Sequence, residues 1–306
     1  MSRFYRALKE ASRTTETLLD QAPPKPEMPA SGGAGTPVLD YVDTMSSITQ
    51  GDRVAAAVPA EPVMAAQPST RSPHHGLIGS PAKVTLDRYA RVIPHSADPA
   101  IVEHYRRLRT KIIQEQEKKP FSSLMVTSPN PQDGKTVTVL NLGFSFGMLP
   151  SYKVLIVDGD LRKGSLGKWL GVQDEQPGLS NLIDGTAELE DVVLKCDELP
   201  AYFMVRGTST VPPGELLNSS MLSRHFQKMA EYFQLTLIDS APVNLVTDAQ
   251  LIAHHSDAVL LIARAFATTR KTFEKTIQEL SPFRVIGTVL NGGMRTELYR
   301  RYNHYY

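Results

Sequence analysis

This sequence contains a single cysteine and carries almost no net charge. The only cysteine, Cys196, cannot form an internal disulfide bond, so nothing in the chain points to an oxidising compartment. The formal net charge is +1, which argues against a broad basic surface for nucleic acid or anionic lipid. No nucleic-acid partner is therefore expected.

Long apolar runs are also missing. The longest, AVLLIA at residues 258–263, is far shorter than the ~20 residues that span a bilayer. The amino-terminal MSRFYRALKEASR is followed by no apolar stretch of the signal-peptide type. We therefore expect a cytoplasmic protein without a membrane span. With 306 residues, 41% of them hydrophobic, the chain can still build one sizeable core.

The amino-terminal third has no sustained apolar period. Residues 21–97 are rich in Pro, Ala, Ser and Gly, cannot bury enough surface to offset the entropy lost on ordering, and are predicted to be a disordered linker. Residues 1–20 precede this linker and begin with a short amphipathic helix, in which Phe4, Leu8 and Ala11 recur at helical spacing. This helix is either a docking element for a partner or a frayed helical end.

Six short apolar runs follow within residues 98–293, most of them separated by helix-length segments. The runs begin at Ser122, Lys153, Tyr202, Leu235, Ala258 and Val285. Strands alternating with helices predict right-handed crossovers and an α/β fold with a doubly wound, mainly parallel sheet. Ligands of such sheets bind at the carboxyl ends of the strands.

A glycine–lysine–threonine triplet lies at one of these strand ends. SPNPQDGKT, residues 128–136, follows the first of the six runs and opens a helix-length segment. In a phosphate loop, backbone amides at a helix N-terminus surround the phosphates, the lysine supplies a point charge and the threonine hydroxyl binds Mg²⁺. The residues predicted to bind nucleotide here are Asp133, Gly134, Lys135, Thr136 and Val137. Pro129 replaces the first glycine of the usual pattern, so the prediction also rests on the strand before the loop and the helix after it.

Acidic residues end two further strands. LIVDGD places Asp158 and Asp160 after the second run, and LTLID places Asp239 at the end of the fourth. A single Asp after a strand is most often a turn or a helix cap. A hard cation on nucleotide phosphates takes one or two carboxylates and keeps several waters, so three acids at neighbouring strand ends favour a Mg²⁺ site that includes Thr136.

These segments together resemble the bacterial tyrosine kinases (BY-kinases) that serve capsule and exopolysaccharide assembly. SPNPQDGKT, LIVDGDLRKGSL and LTLIDSAPV look like their Walker A, Walker A′ and Walker B motifs, and the resemblance covers about residues 98–306. It implies a P-loop NTPase of the deviant Walker, MinD/ParA-like type, which uses ATP and Mg²⁺ to phosphorylate its own tyrosines. Catalytic roles then fall to Lys135, Asp158, Asp160 and Asp239. One of Asp158 and Asp160 is expected to accept the tyrosine proton, and the resemblance favours Asp158.

Two flanking segments match the same family. EHYRRLR places Glu103, Arg106 and Arg109 on one helix face, in the pattern that these kinases use for ring-like self-association; a solvated charged helix is the alternative. The tail at residues 294–306 resembles the family's autophosphorylated tyrosine cluster. Its tyrosines are Tyr299, Tyr302, Tyr305 and Tyr306. The resemblance further implies a stand-alone kinase, a separate membrane activator that recruits it to the inner face of the membrane, and a tyrosine phosphatase that reverses the reaction.

Four positions depart from the family pattern or leave a choice. Gln132 stands where the family has glycine, and if φ is positive there the side chain costs on the order of 1 kcal/mol. Gly164 replaces a proline usual after the second acidic motif. Arg162 contacts either nucleotide phosphate or a nearby acid, and Asn291 either contacts adenine or forms a turn before two glycines. The alternatives to an autokinase are a positioning ATPase of the MinD/ParA type and a catalytically weak, nucleotide-binding scaffold.

Overall fold

The computed structural model describes residues 82–84, 99–173, 175–196 and 200–293 of the chain. The amphipathic helix predicted in residues 1–20, most of the predicted linker at 21–97 and the tyrosine tail at 294–306 lie outside the described residues. Those three assignments stay predictions.

The described residues contain one sheet of eight strands. The strands are β1 (Ala82–Val84), β2 (Ser123–Thr127), β3 (Val154–Asp158), β4 (Leu194–Cys196), β5 (Tyr202–Met204), β6 (Leu235–Asp239), β7 (Ala258–Arg264) and β8 (Val285–Asn291). Their order is β1-β4-β5-β3-β6-β2-β7-β8, and every neighbouring pair is parallel except β4 with β5. The mainly parallel sheet predicted from the sequence is confirmed.

Nine helices lie between these strands in the described part of the chain. They are α1 (Pro99–Lys118), α2 (Lys135–Gly147), α3 (Leu166–Trp169), α4 (Leu179–Asp184), α5 (Leu189–Val192), α6 (Pro213–Leu217), α7 (Ser220–Tyr232), α8 (Asp248–His255) and α9 (Arg270–Glu279). None of the nine combines the length and the apolar character needed to cross a bilayer.

The core is divided between the two faces of the sheet. Along β2, Leu124 and Val126 pack in one apolar cluster and Met125 packs in the other, because successive side chains of a strand point to opposite faces. β2, β3 and β6 are buried at every position. Helices therefore cover both faces, which explains why these strands read as continuous apolar runs rather than as alternating ones.

All six predicted strands are present, and two strands were not predicted. β1 and β4 contain three residues each, which is too short to display an apolar period. β1 falls inside the stretch predicted to be a linker, so the linker prediction is wrong for Ala82–Val84. These residues satisfy backbone hydrogen bonds by pairing in parallel with β4.

The strand order brings the predicted site residues to one edge of the sheet. β6 lies between β2 and β3, and Asp239 is aligned with Asp158 on one side and with Val126 on the other. Because parallel strands have their carboxyl ends at the same edge, the loop after β2 meets the acidic ends of β3 and β6 there.

Candidate active site

The loop that joins β2 to α2, residues 128–134, is held by its own polar groups. The Ser128 hydroxyl donates to the Asn130 carbonyl at 2.7 Å, and the Asn130 amide donates to the buried Asp133 carboxylate at 2.9 Å. Gly134 precedes α2 with φ 97°. The helix therefore begins at Lys135 with its unpaired amides and the positive end of its dipole facing the loop, which is the arrangement that binds phosphate.

Gln132 adopts the left-handed backbone conformation, with φ 64°. The condition under which the sequence predicted strain at this position, a positive φ for a residue with a side chain, is therefore met. The Arg264 guanidinium donates to the Gln132 carbonyl oxygen at 2.8 Å. This contact ties the strained residue to the end of β7.

Thr136 and Asp239 are in direct contact beneath the loop. The Thr136 hydroxyl donates to Asp239 Oδ2 at 2.6 Å, while Asp239 Oδ1 is buried and has no hydrogen-bond partner among the described residues. Burial raises the pKa of Asp239, and the Lys135 ammonium opposes the shift. An unpaired buried oxygen costs about 1–3 kcal/mol, so the pair fits a hard cation that would use this oxygen and the threonine hydroxyl.

Asp158 lies fully buried at the end of β3. Its Oδ2 accepts from the Leu166 amide at 2.9 Å and its Oδ1 from the Asp160 amide at 3.3 Å. Burial raises the pKa of the Asp158 carboxyl, and the negative charge of Asp239 raises it further. A carboxylate with a raised pKa is a better proton acceptor near neutral pH than an exposed one.

Asp160 is half-buried and accepts from the Lys163 amide at 2.9 Å, as a turn-capping carboxylate does. Its charge raises the pKa of both Asp158 and Asp239. Across residues 82–84, 99–173, 175–196 and 200–293, however, no three or more His, Cys, Asp or Glu side chains are grouped to hold a metal ion. Asp158 and Asp160 accept hydrogen bonds from backbone amides, and their predicted part in holding the ion or its waters stays a prediction. Thr136 and Asp239 remain the pair that fits Mg²⁺ retaining its waters.

Arg162 contacts an acid of the same chain. Its Nε donates to Asp248 Oδ2 at 2.7 Å and its Nη2 to Asp248 Oδ1 at 3.0 Å. Asp248 is buried at the first position of α8, and a two-pronged, charge-assisted pair is the strongest arrangement available to a guanidinium. Of the two alternatives left by the sequence, the structure has the contact with an acid, and a role of Arg162 in nucleotide binding stays a prediction.

Asn291 contacts the phosphate loop, and its predicted contact with adenine stays a prediction. Its side-chain amide donates to the Asp133 carbonyl at 2.9 Å, and it is buried at the end of β8. A Cβ at Gly134 would lie 1.9 Å from the same amide nitrogen. Asn291 therefore holds the phosphate loop, and its closeness accounts for the glycine at position 134.

Two residues that hold the loop were not predicted. Arg264 contacts Gln132, and the Thr268 hydroxyl donates to the Asp133 carboxylate at 3.1 Å. Both follow the apolar run of β7, which pairs with β2 in the sheet. Predicting these two contacts would have required the strand order, which places β7 beside β2.

The charged face of α1 is partly occupied by contacts within the chain. Glu103 pairs with Arg107 at 3.3 Å and with Arg106 at 3.9 Å, while the Arg109 guanidinium donates to the Ser145 carbonyl of α2. Arg109 thus binds its own chain through one of its donors, and the predicted role of the three residues in self-association stays a prediction.

Comparison with known proteins identifies the family. Protein-family models give no match, but the chain is 32% identical over 196 residues to Tyrosine-protein kinase CpsD of Streptococcus pneumoniae serotype 4 (strain ATCC BAA-334 / TIGR4), with 62% of this chain and 83% of that protein covered. The chain belongs to this family of bacterial tyrosine kinases. The BY-kinase resemblance drawn from the motifs is confirmed, and family membership supports the kinase over the positioning ATPase.

Two further similarities bear on the extent of the BY-kinase domain. The chain is 32% identical over 206 residues to Tyrosine-protein kinase ptk of Acinetobacter johnsonii. The match covers 67% of this chain and 27% of ptk. It thus spans about a quarter of that relative's length. The crystal structure of the chimerical protein CapA2B2 matches with a TM-score of 0.62 and 25% identity, covering 72% of this chain and 96% of that one.

Proposed function

We propose that this BY-kinase transfers the γ-phosphate of ATP to tyrosine hydroxyls, those of its own tail above all. The observation that carries the proposal is the Thr136–Asp239 contact at 2.6 Å with its second carboxylate oxygen buried and unpaired. This oxygen lies at the sheet edge where a helix N-terminus and a lysine are available for phosphate. Phosphoryl transfer needs mainly such positioning and charge neutralisation, with little covalent chemistry by the protein.

The phosphates are held by the amides at the start of α2 and by the Lys135 ammonium. Mg²⁺ would be held by the Thr136 hydroxyl and Asp239 Oδ1, and when bound it supplies positive charge that neutralises the phosphate oxygens. The contacts of Arg264, Thr268 and Asn291 with the loop keep its backbone donors fixed, so these donors need no rearrangement when phosphate binds.

Asp158 accepts the proton of the attacking tyrosine hydroxyl. Its raised pKa supports this role, and the Asp160 and Leu166 amides keep the carboxylate in place. Gly164 packs against it without an intervening side chain, since a Cβ there would lie 2.6 Å from Asp158 Oδ2. As the proton moves to Asp158, the phenolic oxygen bonds to the γ-phosphorus. The bond between this phosphorus and the bridging oxygen breaks, and ADP leaves with its electron pair.

The acceptor tyrosines are Tyr299, Tyr302, Tyr305 and Tyr306. From Asn291 to the last residue the chain extends at most roughly 50 Å, at ~3.3 Å per residue, which is enough to reach a neighbouring subunit's site. We further propose that this cycle regulates exopolysaccharide or capsule assembly, with a separate membrane activator and a phosphatase. The similarity to the chimerical protein CapA2B2 supports the proposal that the kinase works with a partner protein.

Three variants test the site. Purified wild type, Lys135→Met and Asp158→Asn are incubated with ATP and Mg²⁺, and phosphotyrosine is measured with an antibody while circular dichroism checks the fold. Removing a general base lowers a rate by about 10²–10⁴-fold, so we expect Asp158→Asn to lose at least about 100-fold and Lys135→Met to lose nearly all activity. Lys271→Met, on the exposed side of α9, is the matched control. Near-normal phosphorylation by either site variant removes the assignment.

A further inference from the structure

Three side chains bind two consecutive residues of the phosphate loop: Arg264 ends β7, Thr268 follows it in the next turn, and Asn291 ends β8. Arg264 donates to the Gln132 carbonyl at 2.8 Å, Thr268 donates to the Asp133 carboxylate at 3.1 Å, and Asn291 donates to the Asp133 carbonyl at 2.9 Å. We call Arg264, Thr268 and Asn291 the loop clamp.

The members of the loop clamp are fixed to one another through the backbone. Arg264 is aligned with Asn291 across the β7–β8 pair, the Arg264 amide donates to the Thr268 hydroxyl at 2.9 Å, and the Ala265 amide donates to the Asn291 carbonyl at 2.7 Å. The clamp is therefore part of the rigid sheet edge, whereas the loop it holds has two left-handed residues, Gln132 and Gly134.

Of these two residues only Gln132 is strained, because glycine adopts a positive φ without a steric penalty. The carbonyl of Gln132 meets the Arg264 guanidinium only while the residue keeps this conformation. The charge-assisted hydrogen bond of 2.8 Å to Arg264 opposes the preference of glutamine for other conformations.

We propose that Arg264 is a positioning residue for nucleotide binding, and that the need for it is created by Gln132. Without the guanidinium, the loop spends less time in the phosphate-binding conformation, and the apparent dissociation constant rises in inverse proportion to the competent fraction. With glycine at position 132 that conformation carries no penalty, so the loop stays competent without Arg264. This inference rests on the phosphate site proposed above.

An alternative role for Arg264, simple attraction of the phosphates, predicts a different result. If the guanidinium acted only as a positive charge near the phosphates, its removal would weaken binding by the same factor whatever residue stands at position 132. The coupling between the two positions therefore separates loop positioning from simple attraction.

The experiment is a double-mutant cycle on the binding of a fluorescent ADP analogue in the presence of Mg²⁺. We expect Arg264→Ala to weaken binding about tenfold in the wild-type background and less than about twofold in the Gln132→Gly background, as expected for a two-state loop. Ser151→Gly is the matched control, since Ser151 is an exposed residue with φ 61° in the α2–β3 loop. In that background Arg264→Ala should keep its full effect.

Equal losses in the wild-type and Gln132→Gly backgrounds, or no loss in either, would overturn the proposal. Thermal unfolding without nucleotide provides a second readout. Gln132→Gly should raise the midpoint more in wild type, where Arg264 keeps residue 132 in the strained conformation, than in Arg264→Ala, where the loop has already left it for much of the time. Equal increments count against the coupling. Neither readout involves phosphotyrosine. A protein that binds the ADP analogue with this coupling but makes no phosphotyrosine would contradict the proposed function alone.

Discussion

Replacing Gly134 by alanine should damage the phosphate loop by two separable effects. The left-handed backbone at φ 97° costs a non-glycine residue about 1–2 kcal/mol. The new Cβ would also lie 1.9 Å from Asn291 Nδ2, so the asparagine must move and leave the Asp133 carbonyl unpaired, at a cost of about 1–3 kcal/mol. We expect Gly134→Ala to lower the free energy of unfolding by about 2–5 kcal/mol and to weaken ADP binding.

Two other glycines separate these effects. Gly185 has φ 78° with no atom within 4 Å of a built Cβ, so Gly185→Ala isolates the backbone term and should cost about 1 kcal/mol. Gly214 lies in α6 with open space and no positive φ, so Gly214→Ala should be neutral or stabilising by up to about 1 kcal/mol. Urea unfolding measures all three. If Gly134→Ala costs no more than Gly185→Ala, the close contact with Asn291 does not hold the loop.

Two other consequences can be measured on the purified protein. Burial raises the pKa of Asp158 to about 8 and that of Asp239 to about 6, so the folded state binds protons more tightly than the unfolded state and the stability of the ligand-free protein should fall as pH rises from about 4 to about 8. Urea midpoints across this range check the slope, which Asp158→Asn should flatten; a rise in stability with pH contradicts it. Arg109→Ala should cost about 1 kcal/mol in a dilute sample because the Ser145 carbonyl loses its donor. Arg106→Ala, at an exposed position, should change only the mass seen by light scattering, and equal stability losses for the two variants would refute the distinction.

Runs of five to seven residues with strong apolar character could be located without coordinates. β2, β3 and β6 are buried on both faces, so their sequences are nearly continuous apolar stretches. The phosphate loop and the strand-end acids then follow from their positions after these runs. β1 and β4 could not be predicted, because a strand of three residues is too short to show an apolar period and forms only through pairing with a neighbouring strand.

The partners of individual side chains could not be predicted from sequence. Arg162 and Asp248 are 86 positions apart, and Arg264 and Gln132 are 132 positions apart. Each contact depends on which strands are neighbours, and the order that puts β6 between β2 and β3 is a property of the whole sheet. For this reason the chemistry of the site could be inferred, while the loop clamp and the Arg162 pair could not.

The central claim, that this site phosphorylates the chain's own tail, is tested most directly by mapping phosphate after incubation with ATP and Mg²⁺. Peptide mass spectrometry of the wild type should place phosphate mainly among Tyr299, Tyr302, Tyr305 and Tyr306, and a chain ending at residue 293 should lose most of the incorporated phosphate while it still binds ADP. Conversion of ATP to ADP without phosphotyrosine, as a positioning ATPase would give, or full incorporation by the shortened chain would contradict the account.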